Sequence, residues 1–317
     1  MINKKILILE GGFNEEHEVS LKTSKEIQKI LKKKKIKFKT LNVNPKNFNK
    51  QISKYNKDYV CFNALHGPFG EDGQIQRILK KNKIPFTHSN INSSKVCFDK
   101  SRAKKIILKN KILNPRYFIL KVEELNVNKL LKIKKILNKF VVKPNQSGSS
   151  FGIRIINNQI EFNKFISNIK LFKKDLSKHK EVIIEEFISG KELTVSTIKF
   201  STKIEALAVT EIKSRNNFFD YQAKYSKGYS KHLLPANLSK KNYDRCLKIA
   251  IKCHQSLGCN SIARTDFIFN SLKNKIYFLE TNTQPGLTPI SLLPEQAKYR
   301  NISFSKIILT LLKNLNY

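Results

Sequence analysis

The stretch Arg264-Thr265-Asp266-Phe267-Ile268-Phe269-Asn270-Ser271-Leu272-Lys273-Asn274-Lys275-Ile276-Tyr277-Phe278-Leu279-Glu280-Thr281-Asn282-Thr283-Gln284-Pro285-Gly286 decides the reading of this chain. Asp266 opens the apolar run Phe267-Ile268-Phe269, and Glu280 closes the run Ile276 to Leu279. The connection Asn270 to Asn274 has turn chemistry, so the pattern predicts an antiparallel hairpin. Pairing would bring Asp266, Glu280 and Asn282 to one end. Oxygen-bearing side chains gathered there suit a hard cation such as Mg²⁺, which binds through few carboxylates plus substrate phosphates. Arg264 and the Gly286 backbone would stand beside it, ready for an anion. The same residues would also serve an ordinary surface hairpin with polar ends.

Working outward, the 317 residues are enough for two or three domains with a proper core. The apolar run Ile6 to Leu9 is too short for a signal-peptide core, and no stretch approaches the ~20 residues of a membrane helix. Five cysteines, odd in number and without CxxC spacing, read as packed thiols. A reduced cytoplasmic setting, with no membrane partner, is the expectation. Sixty-one Lys+Arg against twenty-four Asp+Glu give a formal charge of +37, ordinarily a pointer to nucleic acid. Here the lysines are spread over nearly the whole chain, and no RNP-like pattern or zinc-finger spacing accompanies them. Specific nucleic-acid binding is not expected, although salt-sensitive sticking to polyanions is.

Strands are predicted at Lys4–Glu10, Lys37–Val43 and Tyr59–Asn63, alternating with helices through Ile27 to Leu31 and from Gly73 to Leu79. That alternation predicts an α/β domain with a parallel sheet over 1–94. A second block, 95–186, has a helix from Lys95 to Leu108, strands at 117–120, 140–143 and 181–185, and a Ser/Gly loop. A third, 187–317, has long alternating strands, a helix through Cys246, Ala250 and Cys253, and the hairpin. The connection from about Lys213 to Ser239 is too long for an ordinary turn, and its aromatics and Lys224 suit a lid over a ligand.

Other segments carry chemistry. Lys143-Pro144-Asn145-Gln146-Ser147-Gly148-Ser149-Ser150-Phe151-Gly152 ends a strand in a lysine and small residues, so its backbone N–H groups would close over phosphates. It is not a Walker A loop, and a flexible hairpin fits it equally well. Lys100 is a second phosphate-seeking ammonium, though one basic residue among many. The connection Glu185 to Glu192 would hold a purine against Phe187 and Ile188, with Glu192 reaching ribose hydroxyls; a plain interdomain turn is the alternative. Gly11 to Ser20 lacks the dinucleotide fingerprint and offers acids to a substrate ammonium or to the dipole of the following helix. His66 lies in a glycine-rich loop at a strand end, where α/β sites form.

Taken in order, these segments resemble the D-alanine–D-alanine ligases of the ATP-grasp superfamily. The resemblance spans nearly the whole chain: Gly-Gly-x-x-x-Glu-x-Glu-Val-Ser (11–20), His-Gly-x-x-Gly-Glu-Asp-Gly (66–73), Asp-Lys (99–100) and Lys-Pro-x-x-x-Gly-Ser-Ser-x-Gly (143–152). Asp-Tyr-x-Ala-Lys-Tyr (220–225), Arg-x-Asp (264–266) and Glu-x-Asn-Thr-x-Pro-Gly-x-Thr-x-x-Ser-Leu (280–292) complete it. It implies an α/β (α+β) fold, with the N-terminal parallel-sheet domain followed by a two-part ATP-grasp fold. It also implies ATP-dependent joining of two D-alanines through an acyl phosphate, for peptidoglycan precursors.

By that resemblance Lys100, Lys143 and Lys224 grip phosphates, while Glu185, Phe187, Ile188 and Glu192 surround adenine and ribose. Asp266, Glu280 and Asn282 hold two Mg²⁺ ions, or Mn²⁺ in their place. Glu16 takes the first ammonium and His66 lies near its carboxylate. Ser149, Tyr225 and Glu16 close the lid. Arg264, Gly286, Ser291 and Leu292 receive the second D-alanine and the oxyanion. A homodimer is implied as well. Ser147, Gln222, His17 and Phe219 depart from commoner residues of the family, in ways that bear on lid closure and phosphate affinity. Tyr225 is retained, which favours an amine over a hydroxy acid as second substrate.

Overall fold

The computed structural model describes residues 4–56, 58–148, 152–214 and 230–317. The first unit alternates β1 (Lys5–Gly11), α1 (His17–Lys33), β2 (Phe38–Val43), α2 (Phe48–Ile52), β3 (Tyr59–Asn63) and α3 (Gln74–Lys81). Its sheet is parallel, in the order β2-β1-β3. Ile6 to Leu9 are all fully buried, as expected of a central parallel strand covered on both faces. The loops after β1 and β3 therefore emerge side by side at the C-terminal edge of the sheet, and they carry Glu16 and His66.

The helix predicted over 95–108 is two helices, α4 (Ile91–Phe98) and α5 (Lys100–Lys109). Asp99 separates them in an extended conformation (φ −93°, ψ 100°), and its carboxylate accepts from the Arg102 N–H at 3.0 Å. An aspartate satisfying a free N–H in the first turn is a strong helix start, and here it outweighs continuous apolar periodicity. The break makes Lys100 the first residue of α5.

The second sheet is antiparallel, ordered β4-β7-β5-β6, from β4 (Tyr117–Lys121), β5 (Phe140–Pro144), β6 (Arg154–Ile156) and β7 (Glu181–Glu186). Helices α6 (Val127–Leu137), α7 (Gln159–Ser167) and α8 (Ile169–Asp175) cover it. Leu130, Ile133, Phe162 and Phe172 pack with Phe140, Val142 and Ile184 of the strands.

The third sheet contains β8 (Lys191–Phe200), β9 (Lys203–Ser214), β10 (Ser230–Leu233), β11 (Ile262–Asn270) and β12 (Lys275–Asn282), ordered β10-β9-β8-β11-β12 and antiparallel throughout. Helices α9 (Lys240–Ser256), α10 (Leu292–Tyr299) and α11 (Phe304–Lys313) accompany it. The connection read as running from Lys213 to Ser239 has a strand stem, because β10 pairs back from Ser230↔Ser214 to Leu233↔Glu211. Residues 215–229 of that connection lie outside the described residues.

Helices α4 and α5 pack into the core of the third sheet through Cys97, Ala103 and Ile107, alongside Cys253, Phe267 and Phe278. A separate cluster joins Ile6, Ile8, Val60 and Phe62 of the first sheet to Ile198, Ile262, Ile308 and Leu311. All five cysteines are buried free thiols, as their spacing suggested. Among the described residues no helix is long and apolar enough to cross a membrane.

Candidate active site

The hairpin forms as predicted, with Arg264 opposite Asn282 and Asp266 opposite Glu280. Residues two apart on a strand share a face, so all four side chains project from one side at one end. The Arg264 guanidinium forks onto Asp266, with Nε–Oδ1 at 3.0 Å and Nη2–Oδ2 at 2.8 Å. Thr194 on β8 donates to the same Oδ1 at 2.6 Å. The Asn282 side-chain oxygen accepts from the Gln284 N–H at 2.6 Å, which fixes its orientation. Two carboxylates and a carboxamide on one face are hard oxygen donors, and they fit a Mg²⁺ site. Among the described residues no three His, Cys, Asp or Glu side chains make a metal cage of their own.

Two lysines reach this end from other elements. Lys100 donates to the Ser147 carbonyl at 2.8 Å and lies 3.4 Å from Glu280 Oε2. Lys143, on β5, lies 2.7 Å from Glu185 Oε2 on the neighbouring β7. Burial lowers the Lys100 ammonium from the usual lysine value. Burial would lower Lys143 too, but the Glu185 and Glu280 carboxylates outweigh it and hold that group above the ordinary value. Glu185 is held below the usual carboxylate range because Lys104 and Lys143 overcome its desolvation.

A cavity of about 590 Å³ opens between the second and third sheets. That size lies within the range of small-molecule and cofactor sites. Lys100, Lys143, Asp266 and Glu280 line its polar end, with Phe187 and Ile188 from the connection between β7 and β8 and Glu192 from the start of β8. Val141, Ile155, Ile268 and Leu279 supply apolar walls. A smaller polar cavity of about 60 Å³ adjoins it, sharing Lys100, Ser147, Gly148 and Glu280. Glu16, His66, Arg264, Asn282 and Gly286 are among the other residues of that smaller lining.

Glu16 is buried against two glycine turns. A Cβ at Gly67 would stand 2.5 Å from Glu16 Oε2, and Gly67 has a φ of +71° besides. Only glycine fits there without displacing the carboxylate. His66 is held between Thr23 Oγ1 at 3.1 Å and Glu71 Oε1 at 3.4 Å. Gly286 faces Ser291, whose hydroxyl bonds Thr288 Oγ1 at 2.8 Å. Ser291 thus stands against Gly286 as the N-cap of α10, whose first residue is Leu292. Ser149, Lys224 and Tyr225 lie outside the described residues.

Sequence reading missed Lys104, Thr194 and Gln284. Lys104 follows Lys100 by one helical turn, a signal lost among so many lysines. Gln284 sits inside the Glu-x-Asn-Thr-x-Pro-Gly segment and ties it to the end of β3 in the first sheet. Its side chain donates to the Leu65 carbonyl and accepts from Asn63 Nδ2 at 2.8 Å.

Two antiparallel sheets closing on a nucleotide-sized pocket, with Lys143 from one sheet, Asp266 and Glu280 from the other, and Lys100 from α5, define an ATP-grasp ligase. The family D-ala D-ala ligase C-terminus matches residues 110–313. A D-alanine–D-alanine ligase of Pelagibacter ubique (strain HTCC1062) is 43% identical over 317 residues, covering 99% of this chain and 98% of the relative. One of Thermotoga petrophila is 33% identical, covering 98% of this chain and 97% of the relative. The crystal structure of the Bacillus anthracis D-alanine–D-alanine ligase complexed with ATP superposes with a TM-score of 0.78 at 29% identity, over 98% of this chain and 96% of that one. The chain belongs to the D-alanine–D-alanine ligase family.

Proposed function

We propose that this ligase carries out its family's reaction, ATP-dependent joining of two D-alanines, with the first amino acid in the small cavity and ATP in the large one. Glu16 takes the ammonium of the first D-alanine, and His66 stands near its carboxylate. Lys100 and Lys143 hold the phosphates from above the hairpin. Phe187 and Ile188 bracket the adenine, and Glu192 binds the ribose. Asp266, Glu280 and Asn282 would hold two Mg²⁺ ions, or Mn²⁺, and the chemistry such cations would supply there is neutralisation of charge on the transferring phosphoryl group.

The first carboxylate attacks the γ-phosphorus and ADP leaves, giving an acyl phosphate. The amine of the second D-alanine then attacks the acyl carbon, and the tetrahedral intermediate expels phosphate. Arg264 and the Gly286 N–H face the developing oxyanion, with Ser291 and Leu292 behind the second substrate. No enzyme nucleophile is needed, so rate comes from positioning and charge neutralisation. Lys224, Ser149 and Tyr225 complete the phosphate grip and the lid, whose closure keeps water from the acyl phosphate. The enzyme works in the cytoplasm as a homodimer, its product serving peptidoglycan synthesis.

One observation carries this reading: Asp266 and Glu280 are cross-strand partners at the seam where the two cavities meet beside Lys100. Purified protein with Mg·ATP and D-alanine should release ADP and phosphate in step with D-alanyl-D-alanine. Absence of phosphate release, or preference for L-alanine or D-lactate, would refute the assignment.

A further inference from the structure

Lys104 has a place in the site that its sequence position does not announce. It is fully buried, at 0% exposure. Its Nζ lies 3.0 Å from Glu185 Oε1, donates to the Phe278 carbonyl at 3.3 Å and sits 5.5 Å from the centre of the Phe278 ring. It lines neither cavity. Residues four apart share a helix face, so α5 sends two ammonium groups the same way: Lys100 to Glu280, and Lys104 to Glu185.

A fully buried lysine is rare because desolvation is costly, and here that burial pulls the ammonium down to about 8. The Lys143–Glu185 pair would already be complete at 2.7 Å without a third charge. With only those two groups the pair is neutral, and Lys143 offers a triphosphate little net attraction. With Lys104 added, the three lysines Lys100, Lys104 and Lys143 outnumber the two carboxylates they pair with, Glu280 and Glu185, by one positive charge. Its free share falls on the Glu185 partner that lines the nucleotide pocket. We propose that Lys104 is a positioning residue for the nucleotide: it balances Glu185 so that Lys143 faces the phosphates with its charge unspent.

This inference rests on the large cavity being the ATP site. Binding of Mg·ATP to the wild-type protein is therefore measured first, by calorimetry, and no binding there would sink that reading rather than this one. Lys104→Met keeps the volume and removes the charge. It should raise KM for ATP about tenfold, while kcat and KM for D-alanine stay within about threefold of wild type. The variant Lys104→Arg keeps the charge and should hold KM for ATP within about threefold of wild type, which a loss of volume or packing alone would not explain. Should Lys104→Met fail to fold while Lys104→Arg folds and binds ATP as the wild type does, the charge-balance role is supported. An unchanged KM for ATP in Lys104→Met, a Lys104→Arg variant as impaired as Lys104→Met, or failure of both to fold would overturn the proposal.

Discussion

The first and second sheets are joined to the third in different ways. The first shares a hydrophobic core with it: Ile6, Val60 and Phe62 pack in one cluster with Ile198, Ile262 and Leu311. Backbone bonds from Phe86 to Asn316 and the buried Asn63–Gln284 pair reinforce that seam. The second sheet has a core of its own, around Leu130, Phe140 and Phe162. The Lys104–Glu185 ion pair, hydrogen bonds from Lys100 to the Ser147 carbonyl and from Gln146 to Asp99, and the turn after β7 tie it to the rest. Packed cores move as units, and polar seams are where domains shift. The comparison thus separates a frame, made by the first and third sheets, from a cover that carries Lys143 and the Ser147–Gly148 turn. The frame holds Glu16, Arg264, Asp266, Glu280 and Asn282, so under the proposed function the amino acids would sit on the frame and the nucleotide between frame and cover.

The largest expected effect falls on the frame's chemistry. Arg264→Ala should lower kcat/KM on the order of 10²–10³, the cost typical of losing one oxyanion donor. The melting temperature should change by no more than a few degrees, and steady-state kinetics beside a thermal melt checks both. A loss below about threefold would remove Arg264 from the reacting centre.

Core substitutions address the frame-and-cover division itself. Leu311→Ala and Leu130→Ala each remove a fully buried leucine and should cost about 2–5 kcal/mol. Hydrogen exchange should show Leu311→Ala loosening the first and third sheets together, and Leu130→Ala loosening the second sheet alone. Equal loosening everywhere in both variants would abolish the distinction.

Acid should also find the frame first. Burial, aided by His66, holds His88 at about 3, and burial holds His254 at about 4. Both lie below the ~6.5 of an unfolded histidine, so protons bind the unfolded chain preferentially. Their stabilising contribution is whole above about pH 6.5 and is lost as pH falls toward those folded values, by up to about 1.4 kcal/mol per pH unit for each. His179, on the cover, is also lowered by burial, but it is half-exposed and adds less. The melting temperature should therefore drop between pH 7 and pH 5, led by the frame; a flat profile would contradict this.

Thr194→Val should have the smallest effect. It deletes the 2.6 Å bond to Asp266, worth about 1.5–3 kcal/mol for a charged acceptor at most. With the Arg264 fork still in place, a loss of about fivefold in kcat/KM is expected, accompanied by a higher Mg²⁺ requirement. An unchanged Mg²⁺ titration would detach Thr194 from metal binding.

The hairpin was legible because residue type and alternation carry its register: Asp266 and Glu280 end apolar runs, and the strands between them pair as read. Glu16 and His66 were legible from loops at strand ends. The break at Asp99 was not, since apolar periodicity continues across it and only the capping bond reveals the stop. The shared core of the first and third sheets left no local trace, because its contacts join residues some two hundred positions apart, such as Asn63 and Gln284. Lys104 was hidden by composition: among sixty-one basic residues no single lysine stands out until burial marks it.

The most direct measurement follows oxygen. D-alanine labelled with ¹⁸O in its carboxylate is turned over with Mg·ATP, and the released phosphate is weighed by mass spectrometry. If the carboxylate attacks the γ-phosphorus and the amine later expels phosphate, one labelled oxygen appears in each phosphate released with dipeptide. Dipeptide formed alongside unlabelled phosphate would contradict the acyl-phosphate route on which this account of the site depends.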